Sequence, residues 1–455
     1  MVRMGRVAMR LSAMRNRAIV IVSVFSLSRF AYAEMLTYGV DAGVGETDNV
    51  TLVRSDKVSQ TMAVADADFD YKEQSSRLNV DAKGDFTYLD YLQNAYHDEL
   101  LGRFDGNATF ALIPQRLTWA LQDDFGKMAI DPFTPAIPTN LENVNYVSTG
   151  PDLSLRFGGL SFLNLGARIS RAEYQTSPYT NNRAQGTLGW GWDLSARSSI
   201  SLNGDSERVL FQNTAVNTDF DRSNVFVRYA LQGARTEVST DLGVTNVHEN
   251  GTSSQGGLAT VELSRRLSET NKLTLSLGRA LTDGSTSFSG LQSGAQGVVA
   301  TAPASTTSEN YTSTYGSVGW AYLRNRTTIG LSGRWEKDTY AGFPLLDHTL
   351  RTAEFRLDRH LTRTLTAQLL GRLYQSDYEH VSVASIAGSP DNSTGSAAAA
   401  LIWRHGRGLE IKFQCEHTTY TTSPNDTGYR DNRVYLKVGY RPSRAQPAGD
   451  DIPAI

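Results

Sequence analysis

Residues 61–71 read TMAVADADFDY. Asp66, Asp68 and Asp70 occupy every second position, with Ala65, Ala67, Phe69 and Tyr71 around them. An extended strand turns successive side chains to opposite faces, so this stretch carries like charges on one side and apolar groups on the other. Three arrangements accommodate it: a half-exposed soluble sheet, a calcium loop, or a barrel that is wet inside and oily outside. A calcium loop opening at Asp66 needs glycine at its sixth position and a glutamate at its twelfth. Those positions hold Tyr71 and Arg77, so that reading falls, and no metal or cofactor is expected.

The same alternation recurs outward from this stretch. In Arg77–Tyr91, Leu78, Val80, Ala82, Phe86 and Tyr88 oppose Asp81, Lys83 and Asp85. In Arg351–His360, Ala353, Phe355 and Leu357 alternate with Glu354, Arg356 and Asp358. In Leu409–Thr418, Ile411, Phe413 and Cys415 alternate with Glu410, Lys412 and Glu416, and near the end Val434, Leu436, Val438 and Tyr440 oppose Arg433, Lys437 and Arg441. No amphipathic helix with a 3.6-residue period appears. Arg334 and Arg372 join Asp66, Asp68, Asp81, Lys83, Asp85, Glu354, Arg356, Asp358, Glu410, Lys412, Arg433 and Lys437 as candidate lumen-facing residues. They are read both as cross-strand pairs that hold a wet interior together and as the lining of a polar conduit.

Two features separate a membrane barrel from a soluble sandwich. The alternating segments are long, whereas strands of soluble proteins average five or six residues. Their links also alternate in length. EQSS (73–76), IPQR (113–116), GG (158–159), ARSS (196–199), QGAR (232–235), SETN (268–271), RNR (324–326), LTRT (361–364) and HGRG (405–408) are short. Residues 45–57, 128–142, 284–309, 341–347 and 379–394 are longer and rich in Gly, Pro, Ser or Thr. Short periplasmic turns against long outer loops is the outer-membrane pattern. The expected fold is all-β: a single antiparallel transmembrane barrel of about 18–20 strands. Its long loops either fold inward as constrictions or outward as a binding surface.

The first residues agree with export. Arg3, Arg6, Arg10, Arg15 and Arg17 precede the apolar run Ala18–Leu27, and AYA follows at 31–33. That order is the form of a secretory signal peptide, over 1–33, and the apolar run is too short to span a bilayer as a helix. Its removal takes six arginines and no acid, moving the formal charge from −3 to −9. An acidic mature chain argues against a nucleic-acid partner. The barrel is expected over 34–441, with a Pro/Ala-rich, disordered tail at 442–455. The lone Cys415 excludes an intrachain disulfide framework.

Aromatics near segment ends, among them Tyr88, Tyr91, Trp119, Trp190, Trp192, Trp320, Trp335, Tyr340, Trp403 and Tyr440, read as girdles at the two membrane interfaces. The alternative is inward-facing rings on which sugars stack. No G-x-S-x-G elbow, no H-E-x-x-H and no metal-ligand spacing among the seven histidines supports an enzyme, and none is expected.

The segment YGVDAGVGETDNVTLVRSD (38–56) resembles the opening of the β-barrel porins associated with bacterial exopolysaccharide loci, in which a first strand runs into an acidic-Asp-Asn motif. Asp48 and Asn49 match that pair, and Thr47 departs from the acidic residue before it. The resemblance implies a component of polysaccharide export in the outer membrane of a Gram-negative bacterium. Its implied partners are outer-membrane lipid, a secreted polysaccharide and periplasmic export components. The reading is a passive pore for a secreted polysaccharide. Its alternatives are a plugged barrel that anchors periplasmic partners, and a barrel enzyme.

Overall fold

A computed structural model describes residues 34–131, 133–292, 309–379, 391–406, 408–423 and 428–442. The expected leader and nearly all of the tail lie outside them. The alternating segments form twenty strands. The first ten are β1 (Glu34–Thr47), β2 (Gln60–Gln74), β3 (Leu78–Tyr91), β4 (Glu99–Ile113), β5 (Leu117–Ala129), β6 (Leu141–Phe157), β7 (Ser161–Tyr174), β8 (Asn181–Ser195), β9 (Ser198–Phe211) and β10 (Phe220–Gln232). The second ten are β11 (Thr236–Glu249), β12 (Thr252–Ser268), β13 (Asn271–Asp283), β14 (Asn310–Arg324), β15 (Thr327–Tyr340), β16 (His348–His360), β17 (Leu365–Tyr378), β18 (Asp391–His405), β19 (Leu409–Ser423) and β20 (Tyr429–Tyr440). A short α-helix, α1 (Gly284–Gln292), follows β13. Each strand pairs antiparallel with its neighbours in sequence, and β1 pairs with β20, from Val40 opposite Tyr440 to Thr47 opposite Arg433. The sheet is therefore a closed barrel, the β form in which no backbone edge is left open to hydrocarbon.

Fourteen-residue strands such as β3 rise about 35 Å along the barrel axis once tilted. That is taller than a hydrocarbon core of about 30 Å. Apolar outward positions cluster toward the short-link end: Leu188, Trp190, Trp192 and Leu194 on β8, and Val225, Val227 and Tyr229 on β10, are all exposed. Farther along β10 the outward residues become Ser223 and Asp221. The belt is thus an oily band with wet strand ends above it. At its short-link edge Phe157 stacks on Trp190, and Trp320 on Tyr322, as rings at headgroup depth do.

On the long-link side one connection is as short as the turns opposite. Asn250 and Gly251 join β11 to β12 with φ of 49° and 75°, the left-handed pair a two-residue type I′ hairpin needs. Above Ala259–Arg279, β13 no longer pairs with β12, but it stays paired with β14 up to Asp283 opposite Asn310, and the chain turns inward only after that residue.

The seam between first and last strands has its own chemistry. The inward positions of β1 are Gly39, Asp41, Gly43 and Gly45. With so little side chain on β1, residues of β20 reach over it to β2: Lys437 Nζ meets Asp66 at 2.5 Å, and Arg441 pairs with Asp68. A Cβ on Gly43 would run into the Leu436 carbonyl oxygen, so only glycine lets the strands approach this closely.

Candidate functional site: a constriction at the outer end of the lumen

The lumen wall is set by parity. The fourteen candidate residues all fall on the face opposite the apolar belt, and the structure joins most of them in pairs. Glu354 meets Arg372 at 3.3 Å and Arg356 meets Asp358 at 2.7 Å. Arg334 bonds Glu336 at 2.8 Å and lies 4.4 Å above the Tyr315 ring. Glu410 accepts from Arg404 at 2.7 Å, and Arg433 bonds Asp431 at 2.6 Å. Asp81 and Lys83 stand 3.9 Å apart and half exposed. Asp85 sits opposite Asp68 in the strand register, and Lys412 opposite Lys437. The fourteen are seven acids and seven bases, so most of the charge among them is paired, with Asp85 beside Asp68 and Lys412 beside Lys437 as like-charged exceptions.

The upper lumen is different. Two segments leave the wall and meet the opposite side. The first is α1. Asp283 Oδ1 accepts the backbone N–H groups of Ser285 and Thr286 at 3.1 and 3.3 Å, which caps the helix and turns the chain inward. The same carboxylate takes Arg183 of β8 at 2.5 Å and Arg222 of β10 at 3.1 Å, and Glu207 of β9 takes Arg222 at 2.5 Å. All four side chains are buried, none more than 9% exposed. Ser285 then shares a hydrogen bond of 3.0 Å with the Tyr174 hydroxyl, and Phe288, 2% exposed, fills a pocket of Met128, Val144, Ala172 and Tyr174 on β5, β6 and β7. From β13 the helix has crossed to a wall six to eight strands away.

The second segment is the link 130–140. The Asn140 side chain holds it compact: its Nδ2 donates to the Asp131, Thr134 and Pro135 carbonyls at 2.9–3.2 Å, and its Oδ1 accepts from the Asp131 N–H at 2.9 Å. The Phe133 ring lies 4.8 Å from that of Tyr378 on β17, and Ile137 packs on Leu52, Tyr420 and Tyr429. This link therefore reaches from β5 and β6 to β17, β19 and β20.

Between them the wall is aromatic. Tyr311 stacks on Tyr340 at 4.6 Å, Tyr340 faces His348 at 6.4 Å, and His348 stacks on Tyr378 at 5.1 Å, a file across β14 to β17. Tyr91 and Tyr340 are buried inside the barrel, which corrects their reading as girdle rings. They share parity with the inward Asp81 and Arg334. A ring at a strand end suits either the headgroups outside or a packed lumen inside, and here loops come in to cover it.

Of the loops expected to constrict or to face outward, 128–142 folds inward, and 284–309 folds inward over its described part, 284–292. The third, 379–394, lies mostly outside the described residues. Its Glu379 pairs with Lys337 at 2.5 Å. None of the constriction's contacts involves the fourteen candidate residues. Arg183, Glu207, Arg222, Asp283 and Phe288 carry them instead. A carboxylate with small hydroxyl residues behind it, DGSTSF, is the one signal for α1 in the sequence.

Asp48 and Asn49 have structural partners at the seam. Asp48 accepts from the Asn432 backbone and side-chain nitrogens at 2.8 and 2.6 Å. Asn49 donates to the Val53 and Arg430 carbonyls at 2.7 and 2.9 Å, and accepts from the Val53 N–H. The pair staples the first link to the start of β20.

No protein-family model and no curated protein matches the chain. Among solved structures it is similar to the FrpB iron transporter of Neisseria meningitidis (F3-3 variant), with 10% identity, 89% of this chain and 81% of that one covered, and a TM-score of 0.43. It is similar to the siderophore receptor PirA of Pseudomonas aeruginosa, with 10% identity, coverage of 90% and 81%, and a TM-score of 0.40. For OpdQ of Pseudomonas aeruginosa the values are 9%, 90% and 100%, and 0.35. At these scores the likeness says nothing of what passes through the barrel.

Proposed function

We propose that the protein is an outer-membrane conduit, closed at its outer end by α1 and the link 130–140, through which a secreted polysaccharide leaves the cell without chemistry performed by the barrel. The observation that carries this is the contrast within one lumen. Below, the wall is polar and internally paired, so it offers a passing chain many weak contacts and few strong ones. Above, closure rests on two short segments and not on a folded plug domain among the described residues. The polysaccharide cargo is supported by the resemblance at Asp48 and Asn49 and by the tyrosine file, whose rings suit sugar faces once uncovered. The test is single-channel recording of the refolded protein with and without the source organism's exported polysaccharide. Openings that the polymer blocks support the conduit. Openings indifferent to it remove the cargo.

A second reading has an observation of its own. Because both segments are tied down by buried contacts, the barrel also fits a permanently shut scaffold that anchors periplasmic partners. A protein that is folded by heat-modifiable mobility, yet silent even when α1 is released, favours that scaffold.

A further inference from the structure

The two ends of the barrel carry opposite charge. The nine short links contain seven arginines and one acid, Glu269, whereas the ten long links contain nine acids and two cations, Arg54 and Lys57. Arg77, Arg116, Arg197, Arg235, Arg326 and Arg363 are exposed and make no ion pair with a described residue. Salt bridges elsewhere in the molecule absorb most arginines, so six unpaired ones at one rim mark a surface with an unused charge.

Their placement says from where a partner comes. Arg77, Arg116, Arg197, Arg235 and Arg326 continue the parity of the lumen-facing residues beside them, not of the apolar belt. Where the rim passes β6 to β10, a cavity of about 750 Å³ opens inside the short-link mouth, lined by Ser154, Arg156, Asn164, Asp193, Arg197 and Gln232. Arg156 bonds Asp193 at 2.6 Å while its side chain stays 67% exposed. Hydroxyls and amides beside the unpaired Arg197 guanidinium and the largely exposed Arg156, which keeps further N–H donors beyond its bond to Asp193, are the donors that bind sugar hydroxyls and fix a carboxylate in two-point contact.

We infer that this mouth is a capture site for an anionic glycan arriving axially from the periplasm, one bearing carboxylate groups on its sugar rings. The inference rests on the conduit reading and adds the class of cargo. Long-range attraction raises the local concentration of the polyanion at the mouth. The acidic outer end repels the same polymer and so disfavours its return.

The test is a binding measurement on the folded barrel in detergent, which does not depend on whether the channel is open. The probes are polygalacturonate, neutral dextran of similar length and poly-glutamate. Polygalacturonate is expected to bind, to weaken as salt rises, and to lose affinity by roughly tenfold in R156E/R197E. A second pair, R235E/R326E, samples the far side of the rim if the first variant fails to fold. Equal binding of dextran overturns the charge selectivity and leaves the conduit standing. Equal binding of poly-glutamate overturns the glycan and points to an acidic protein segment. No binding of any probe overturns the capture site.

Discussion

Asp283 is where sequence, packing and gating meet in one residue. Its carboxylate caps α1 and neutralises two arginines from strands that are not its neighbours. Removing one partner of a buried charge cluster leaves the others uncompensated, at about 3–5 kcal/mol. D283A is therefore expected to release α1 from the wall while the strands stay paired, raising channel open time and exposing Phe288 to a polar fluorescent probe. F288A empties a buried pocket, a change of about 3–5 kcal/mol in a well-packed core, and should act in the same direction with less effect on Arg183. At the seam, burial pushes the Asp48 carboxyl up, but the hydrogen bonds from the side chain and backbone of Asn432 outweigh it and hold the group below the ordinary aspartate range. With the folded value depressed, its contribution to closure is present above the unfolded value of about 3.9 and is lost as pH falls through the folded one. Heat resistance of the folded band on gels should therefore fall below about pH 4, and D48N should flatten that part of the profile.

Among the elements, β1 depends most on what it lacks. Gly43→Ala puts a methyl group onto the Leu436 carbonyl. The folded, heat-modifiable form is expected to drop sharply, whereas G186A, where nothing lies within 4 Å, should fold normally. β3 tests the facing of the wall. Spin labels at Asp81 and Lys83 should meet a water-soluble relaxation agent, and labels at Val80 and Ala82 should meet dissolved oxygen; a reversed pattern would break the register. Much of this wall is legible in the sequence alone. Period-two alternation and the alternation of link lengths follow from one face in lipid and two ends in different compartments, and both are local in sequence. The direction of a loop is not local. GSTSFSGLQ is short and weakly apolar, and it becomes a helix because Asp283 finds Arg183 and Arg222 in three dimensions. Tyr91 and Tyr340 show a different loss. Their parity with Asp81 and Arg334 points inward, but a ring at a strand end fits the headgroups equally well until the loops that cover it are known.

At the scale of the whole molecule, the barrel is a closed wall with a polar middle, an outer end into which α1 and the link 130–140 fold, and a basic inner mouth. The wall follows from backbone pairing in a solvent that offers no hydrogen bonds. The two inward segments are held by a few buried contacts outside the strand ladder, so the proposed closure can be lost without unfolding the wall. Paired single-channel recordings of the wild-type protein and D283A/F288A in a planar bilayer test that separation most directly. The expected result is a wild-type channel that is mostly closed and a variant with large, long-lived openings, both still folded by heat-modifiable mobility. Equal, steady conductance in the two would show that α1 closes nothing, and silence in both would contradict the claim that releasing α1 opens the barrel.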